Sequence, residues 1–189
     1  ETKTCKLILH TEVISEHGTN LAKVNEYLFG EKYENNIIFS TAKLDRKELN
    51  YLYNLADVQM LLTSNEGWGL TLTEAILAGT CVIANTTGGM QDQMRFVDEK
   101  DEWFTPSPDI PSNHRGTYKK HGEWAFPVYP ASRSIQGSPP TPYIFDDRCR
   151  WEDAVERLKE IYNLSPEERD RRGKAGREWA IGDEAGFTA

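Results

Sequence analysis

Residues 64–78 read SNEGWGLTLTEAILA, a polar, glycine-bearing loop that runs into an apolar helical pattern. Gly67 and Gly69 let the backbone turn and be approached closely. A helix is predicted from about Leu70 to Ala78, ended by Gly79. Short apolar runs flank it, VQMLL at 58–62 and CVIA at 81–84. Apolar runs on either side of a helical pattern are how parallel strands joined by a crossover helix appear in sequence. Glu66 therefore sits in a loop at the carboxyl end of a strand, the edge of an open parallel sheet where ligands bind.

The same alternation extends outward. Residues 6–10 (KLILH) and 36–40 (NIIFS) read as strands, and in the helical stretch 20–29 between them Leu21, Val24 and Leu28 share a face. Asp45 and Glu48 form a capping-box pattern for a helix carrying Leu49, Leu52 and Ala56. After the strand at 81–84, Gly88 and Gly89 lead into a short helix near 91–96. Helical order returns at 149–162, with Trp151, Ala154, Val155, Leu158 and Ile161 at spacings of three and four. Ser165, Pro166 and Glu168 then supply an N-cap, a first-turn proline and a capping acid for a last helix to about Ala180. The fold class is α/β, a Rossmann-like parallel sheet with helices on both faces, and residues 1–189 read as a single domain.

Residues 100–142 break the rhythm, holding eight of the nine prolines. That density forbids long helices and central strands, so the segment reads as a proline-rich insertion with one edge strand at 124–129 (WAFPVY). Its aromatics Trp103, Tyr118, Trp124, Phe126 and Tyr129 read as packing residues. His114 and His121 in the same segment read as structural rather than metal-binding.

The 30 acidic and 22 basic residues leave a net charge of −8, which gives no positive field for a nucleic acid. Cys5, Cys81 and Cys149 show no paired spacing, so neither a disulfide framework nor a zinc site is expected, and they read as small buried residues in a reducing compartment. No apolar run is long enough for a membrane span or a signal peptide, which makes the cytoplasm the default location. The run EERDRR at 167–172 reads as a solvated helix face. The chain opens at Glu1 almost directly into a strand and ends without a closing signal, as an excised domain would.

Chemistry concentrates in the quoted stretch. The first turn of its helix points unpaired N–H groups and partial positive charge into the crevice, so the amides of Gly69, Leu70 and Thr71 suit a diphosphate without any lysine. Glu74 lies ~6 Å further along the helix axis. An ionised carboxylate only accepts hydrogen bonds, so vicinal diols are its natural partners: a ribose at Glu74 and a hexose at Glu66. Two glutamates at this spacing would by themselves be a weak signal, because Glu74 alone would pass for an exposed helical side chain. The whole context, Glu-Gly-aromatic-Gly-Leu-x-x-x-Glu-Ala between an apolar strand and Ala-Gly, Val-Ile and Gly-Gly, is specific.

These residues resemble the donor-site signature of the retaining glycosyltransferases of family 4 (glycosyl transferases group 1), over residues 6–97 and again over the helices at 150–179. The resemblance implies the C-terminal, donor-binding half of a GT-B fold that transfers a hexose from a nucleotide sugar. It implies that Glu66 contacts the transferred sugar and serves as the catalytic residue, that Glu74 holds the ribose, and that Gly67, Trp68, Gly69, Leu70 and Thr71 complete the donor site. Gly88 and Gly89, in TGGMQD at 87–92, correspond to a loop packed beside it. His10, at the end of the first strand, and Lys43, after the second, are possible further donor contacts.

The resemblance also implies no metal and no cofactor, and an acceptor-binding N-terminal domain of the same protein as partner. Two departures stand out: nothing before Lys6 supplies the Arg and Lys that neutralise the diphosphate in the family, and Ser40 to Lys43 stand where the family has a glycine near the base. The isolated domain is therefore expected to be inactive. The alternatives are a non-catalytic nucleotide or sugar-phosphate binding module, and a GT-B epimerase or phosphorylase.

Overall fold

The computed structural model describes residues 5–16, 18–30, 32, 33, 35–183 and 185. They form two compact units that divide after Asp45.

The first unit is a β-α-β motif. Strand β1 (Leu7–His10) pairs in parallel with β2 (Ile37–Ser40), Leu7 opposite Ile37 and His10 opposite Ser40. Between them runs α1 (Leu21–Phe29). Asn20 begins it by accepting the Lys23 N–H at 3.0 Å, and Gly30 ends it at φ 56°, a conformation that needs glycine. The expected helix is present, but Val24 and Leu28 on its apolar face are exposed and α1 has no buried residue. Periodicity thus located the helix without reporting whether its apolar stripe is covered.

The second unit is built on a parallel sheet of order β3-β4-β5, with β3 at Val58–Leu61, β4 at Cys81–Asn85 and β5 at Ala125–Val128. Every residue of β4 is buried, as a central parallel strand requires. Because successive side chains alternate faces, Val82 and Ala84 join one core with Tyr53, Leu72, Ile76 and Trp124, while Cys81 and Ile83 join another with Phe126, Ala154 and Ile161. Helices α2 (Arg46–Leu55), α3 (Leu70–Ala78) and α6 (Pro166–Ile181) supply the first core, and α5 (Trp151–Asn163) supplies the second. The sheet of this unit therefore carries helices on both faces.

The proline-rich segment is ordered and contributes directly to this core. Strand β5 lies where an edge strand was expected, and Pro127, which cannot donate to a ladder, is tolerated because β5 is the sheet's outer member. Trp124 and Phe126 are buried, and Trp124 stacks on Trp179 at 4.9 Å. The sequence reading missed the antiparallel hairpin of β6 (Ser132–Ser138) and β7 (Thr141–Arg148), which reaches past residue 142. Four prolines and a weak apolar pattern at 130–142 concealed it.

Helix α6 approaches the C-terminus of α3 so closely that a Cβ at Gly173 would lie 1.8 Å from the Gly79 carbonyl oxygen. The run at 167–172 is only partly a solvated face. Arg169 is half-buried and donates to the Leu164 carbonyl at 2.8 Å, tying α6 to the end of α5. Of the cysteines, Cys81 is buried, and burial pushes its thiol up to about 11. Cys5, by contrast, is exposed.

Candidate functional site

The loop 62–69 leaves the carboxyl end of β3 and enters α3 through Gly69, which holds φ 86° and ψ 64°. No side chain caps the helix, and its first backbone bond runs from the Leu72 N–H to the Gly69 carbonyl. The amides of Leu70 and Thr71 therefore precede the first intrahelical bond, at the positive end of the helix dipole.

Gly88 and Gly89 close directly over this loop. The Gly89 N–H donates to the Gly67 carbonyl at 3.1 Å, and a Cβ on Gly88 would stand 1.9 Å from the Glu66 carbonyl oxygen. Only a residue without a side chain fits at Gly88, which also holds φ 51°. Gly88 and Gly89 are thus packing partners of the Glu66 loop.

A buried network behind the loop sets its shape. The Trp68 indole N–H donates to Thr73 Oγ1 (2.8 Å), whose hydroxyl donates to Gln93 Oε1 (2.8 Å). Gln93 Nε2 returns a bond to the Trp68 carbonyl (2.5 Å), and Trp124 Nε1 donates to the Gln93 carbonyl (3.0 Å). Gln93, on helix α4 (Met90–Met94), is 0% exposed. A fully satisfied buried network of this kind specifies one loop conformation.

Glu74 lies one turn inside α3 and is exposed. The buried Tyr53 of α2 donates its hydroxyl to Glu74 Oε2 at 2.8 Å, leaving Oε1 as a further acceptor. Burial, and after it the bond to Glu74, pushes the Tyr53 hydroxyl above its ordinary range, so it stays a donor at neutral pH.

The hairpin braces the site from another side. Asp147, 2% exposed, accepts from Arg133 Nε (2.6 Å), Arg133 Nη2 (2.9 Å) and Thr87 Oγ1 (2.8 Å). Its backbone N–H donates to the Ser64 carbonyl, and its carbonyl accepts from the buried Asn85 amide, which also donates to the Thr63 carbonyl. Ser64 Oγ donates to Asp146, and Asn65 donates to the Phe145 carbonyl. The segments leading to Glu66 and to Gly88 are thus pinned to one residue, Asp147, the first through its backbone N–H and the second through its carboxylate. Burial raises the Asp147 carboxyl, but the bonds from Arg133 and Thr87 outweigh it and hold the group below its ordinary range.

Residues 17–112 match the family described as glycosyl transferases group 1. The chain belongs to this family. The curated trehalose synthase of Pyrococcus horikoshii is 32% identical over 65 residues, 34% of this chain and 16% of that protein. A solved sucrose-phosphate synthase from Thermosynechococcus elongatus superposes with a TM-score of 0.53 at 19% identity, covering 91% of this chain and 32% of that one. That likeness carries the fold alone. The catalytic domain of starch synthase IV from Arabidopsis thaliana, solved with ADP and acarbose, gives a TM-score of 0.44 at 17% identity over 83% of this chain and 25% of that one. The chain thus spans under a third of the length of any of these three.

In this group 1 glycosyl transferase chain, Glu66, Gly67, Trp68, Gly69, Leu70 and Thr71 form one loop and helix start, against which Gly88 and Gly89 pack. His10 and Lys43 belong to the first unit. His10 Nδ1 lies 3.0 Å from Ser40 Oγ and 3.1 Å from the Ser40 carbonyl, a local structural partnership, and Lys43 is exposed. Sequence reasoning missed Tyr53, Gln93, Asn85, Arg133 and Asp147, whose side-chain partners lie 14 to 62 positions away. Only the run Asp146-Asp147-Arg148 after three apolar residues hinted at a role. Among the described residues, no group of three or more His, Cys, Asp or Glu is placed to hold a metal, and no helix is long and apolar enough to cross a membrane.

Proposed function

We propose that this chain is the nucleotide-sugar-binding part of a retaining, family 4 glycosyltransferase that transfers a hexose from a nucleoside diphosphate sugar to an acceptor. One observation carries the reading: an uncapped helix N-terminus entered through a left-handed glycine, with an acid on the entering loop and another one turn inside. The amides of Leu70 and Thr71 hold the diphosphate and take up charge as the bond between the anomeric carbon and the phosphate oxygen breaks. Glu66 accepts hydrogen bonds from the sugar hydroxyls and fixes the ring for attack from the face the diphosphate leaves. Glu74, steadied by Tyr53, accepts from the ribose diol through its other oxygen. This chemistry uses no metal and no cofactor. It takes place in the cytoplasm, and a further domain of the same protein presents the acceptor, so the isolated chain binds donor without turning it over.

Calorimetric titration of the chain with UDP, GDP and ADP and their sugars tests this. One nucleotide binds, and Glu74→Ala weakens it by about tenfold or more, the worth of a hydrogen bond to a charged group. Equal affinity in both proteins removes the ribose role. In the full-length enzyme, Glu66→Ala lowers the transfer rate far more than nucleotide affinity, and an unchanged rate removes the sugar-positioning role.

A further inference from the structure

Beside the Gly88 loop lies a cavity of about 300 Å³. Gly88 is common to the two sites: it packs on the Glu66 carbonyl, and it also lines this cavity. A space of this size is at the small end of ligand pockets, which run ~300–1,000 Å³. It suits one ring rather than a nucleotide.

The walls are preformed. Gln91 spans from the Gly88 carbonyl (3.2 Å) to the Asn113 N–H (2.7 Å). The fully buried Asn113 closes the loop beyond it with two 2.9 Å bonds to the Tyr118 backbone. Within the proline-rich stretch, Ser107 and Ile110 are bonded to each other through backbone and hydroxyl. A lining ordered in advance lowers the cost of binding.

The chemistry of the lining is that of a neutral, hydroxyl-rich ligand. Asp92 brings a carboxylate that makes no hydrogen bond to another described residue. Arg133 lines the cavity while its Nε and Nη2 are held by Asp147; its Nη1 makes no hydrogen bond to another described residue. Asp147 pairs the arginine and Arg95 acts on the Asp92 carboxyl, so each charge at the cavity faces a counter-charge, which suits an uncharged ligand. Sugar hydroxyls can donate to Asp92 and accept from Arg133. Phe104 and Pro106 supply the apolar surface on which the C–H face of a pyranose rests.

We propose that this cavity is a subsite for one uncharged sugar ring of the acceptor, which rests on the reading of the chain as a sugar transferase. The tests are saturation-transfer NMR with free glucose, mannose and galactose, each alone and with UDP-glucose or GDP-mannose added, and calorimetry with UDP, GDP and ADP. At least one free sugar binds in the millimolar range, and Asp92→Asn weakens it by about tenfold or more. Arg133→Lys, which keeps the charge beside Asp147, also weakens it. Both variants retain their circular dichroism, and Asp92→Asn retains its nucleotide affinity, whereas Glu74→Ala weakens nucleotide and leaves the sugar signal intact. No transfer to any of the three sugars, or a signal that survives Asp92→Asn, overturns the subsite. A free-sugar signal abolished by either nucleotide sugar assigns the ring to the donor and overturns the acceptor assignment. Absence of all nucleotide binding refutes the donor-site reading by a separate measurement.

Discussion

Gly88→Ala tests how tightly the two glycine loops are joined. The new Cβ would stand 1.9 Å from the Glu66 carbonyl oxygen, at a φ of 51°. Restoring an ordinary C···O separation of ~3.3 Å moves one of the two backbones by about 1.4 Å. The left-handed conformation costs a residue with a Cβ ~1–2 kcal/mol, and overpacking costs ~1–3 kcal/mol. The sum, about 2–5 kcal/mol, is a large fraction of a typical domain's stability. With a urea m-value of about 2 kcal/mol/M, a loss of ~3 kcal/mol lowers the midpoint by about 1.5 M. The assay is urea unfolding followed by far-ultraviolet circular dichroism. Gly88→Asn separates the two causes, since Asn tolerates the left-handed region but still carries the Cβ. If contact dominates, Asn is nearly as damaging as Ala. A displacement above 1 Å at Glu66 also costs transfer about a hundredfold in the full-length enzyme. An Ala variant within ~0.5 kcal/mol of wild type, the range of an ordinary surface change, would refute the packing of these loops.

Three further outcomes are expected. Gly173→Ala should lower the melting temperature despite a gain in helix propensity of ~1 kcal/mol, because its Cβ meets the Gly79 carbonyl at 1.8 Å; calorimetry showing stabilisation would mean that α6 stands further from α3. Asp147→Asn should cost about 1.5–3 kcal/mol at pH 7 through the weakened Arg133 and Thr87 bonds. The depressed folded-state value makes that stability present above about pH 4 and lost as pH falls through the folded value, so the variant should flatten this acid limb, and an unaltered limb would contradict the pairing. The third concerns His121, held below its ordinary range by burial. The unfolded chain takes up this proton first, so stability is full above about pH 6.5 and declines as pH falls toward the folded value. His121→Gln should remove that slope, and a slope of wild-type size in the variant would assign it elsewhere.

Much of the architecture was legible because it is written in local chemistry. The αL glycines Gly69 and Gly79 bound α3, Asn20 and Ser165 cap their helices, and the apolar run CVIA lies in the fully buried strand at the sheet centre. The hairpin was not legible, because β6 and β7 are both largely exposed and lack the apolar alternation that marks a half-buried strand. The exposure of Val24 and Leu28 was hidden for the converse reason: a periodic pattern states which face is apolar and not what covers it.

The sequence by itself determined the loop and helix of the candidate site, since Glu66 to Glu74 are contiguous and their spacing follows from the helical rise. Only the tertiary structure decided what holds them: Tyr53 on Glu74, Gly88 against Glu66, Gln93 behind Trp68, and Asp147 joining the segments before Glu66 and Gly88. The physical reason is that a side-chain hydrogen bond depends on positions in space. Partners drawn from different strands and helices leave no periodicity along the chain, whereas a cap, a turn or an amphipathic face is set by its immediate neighbours.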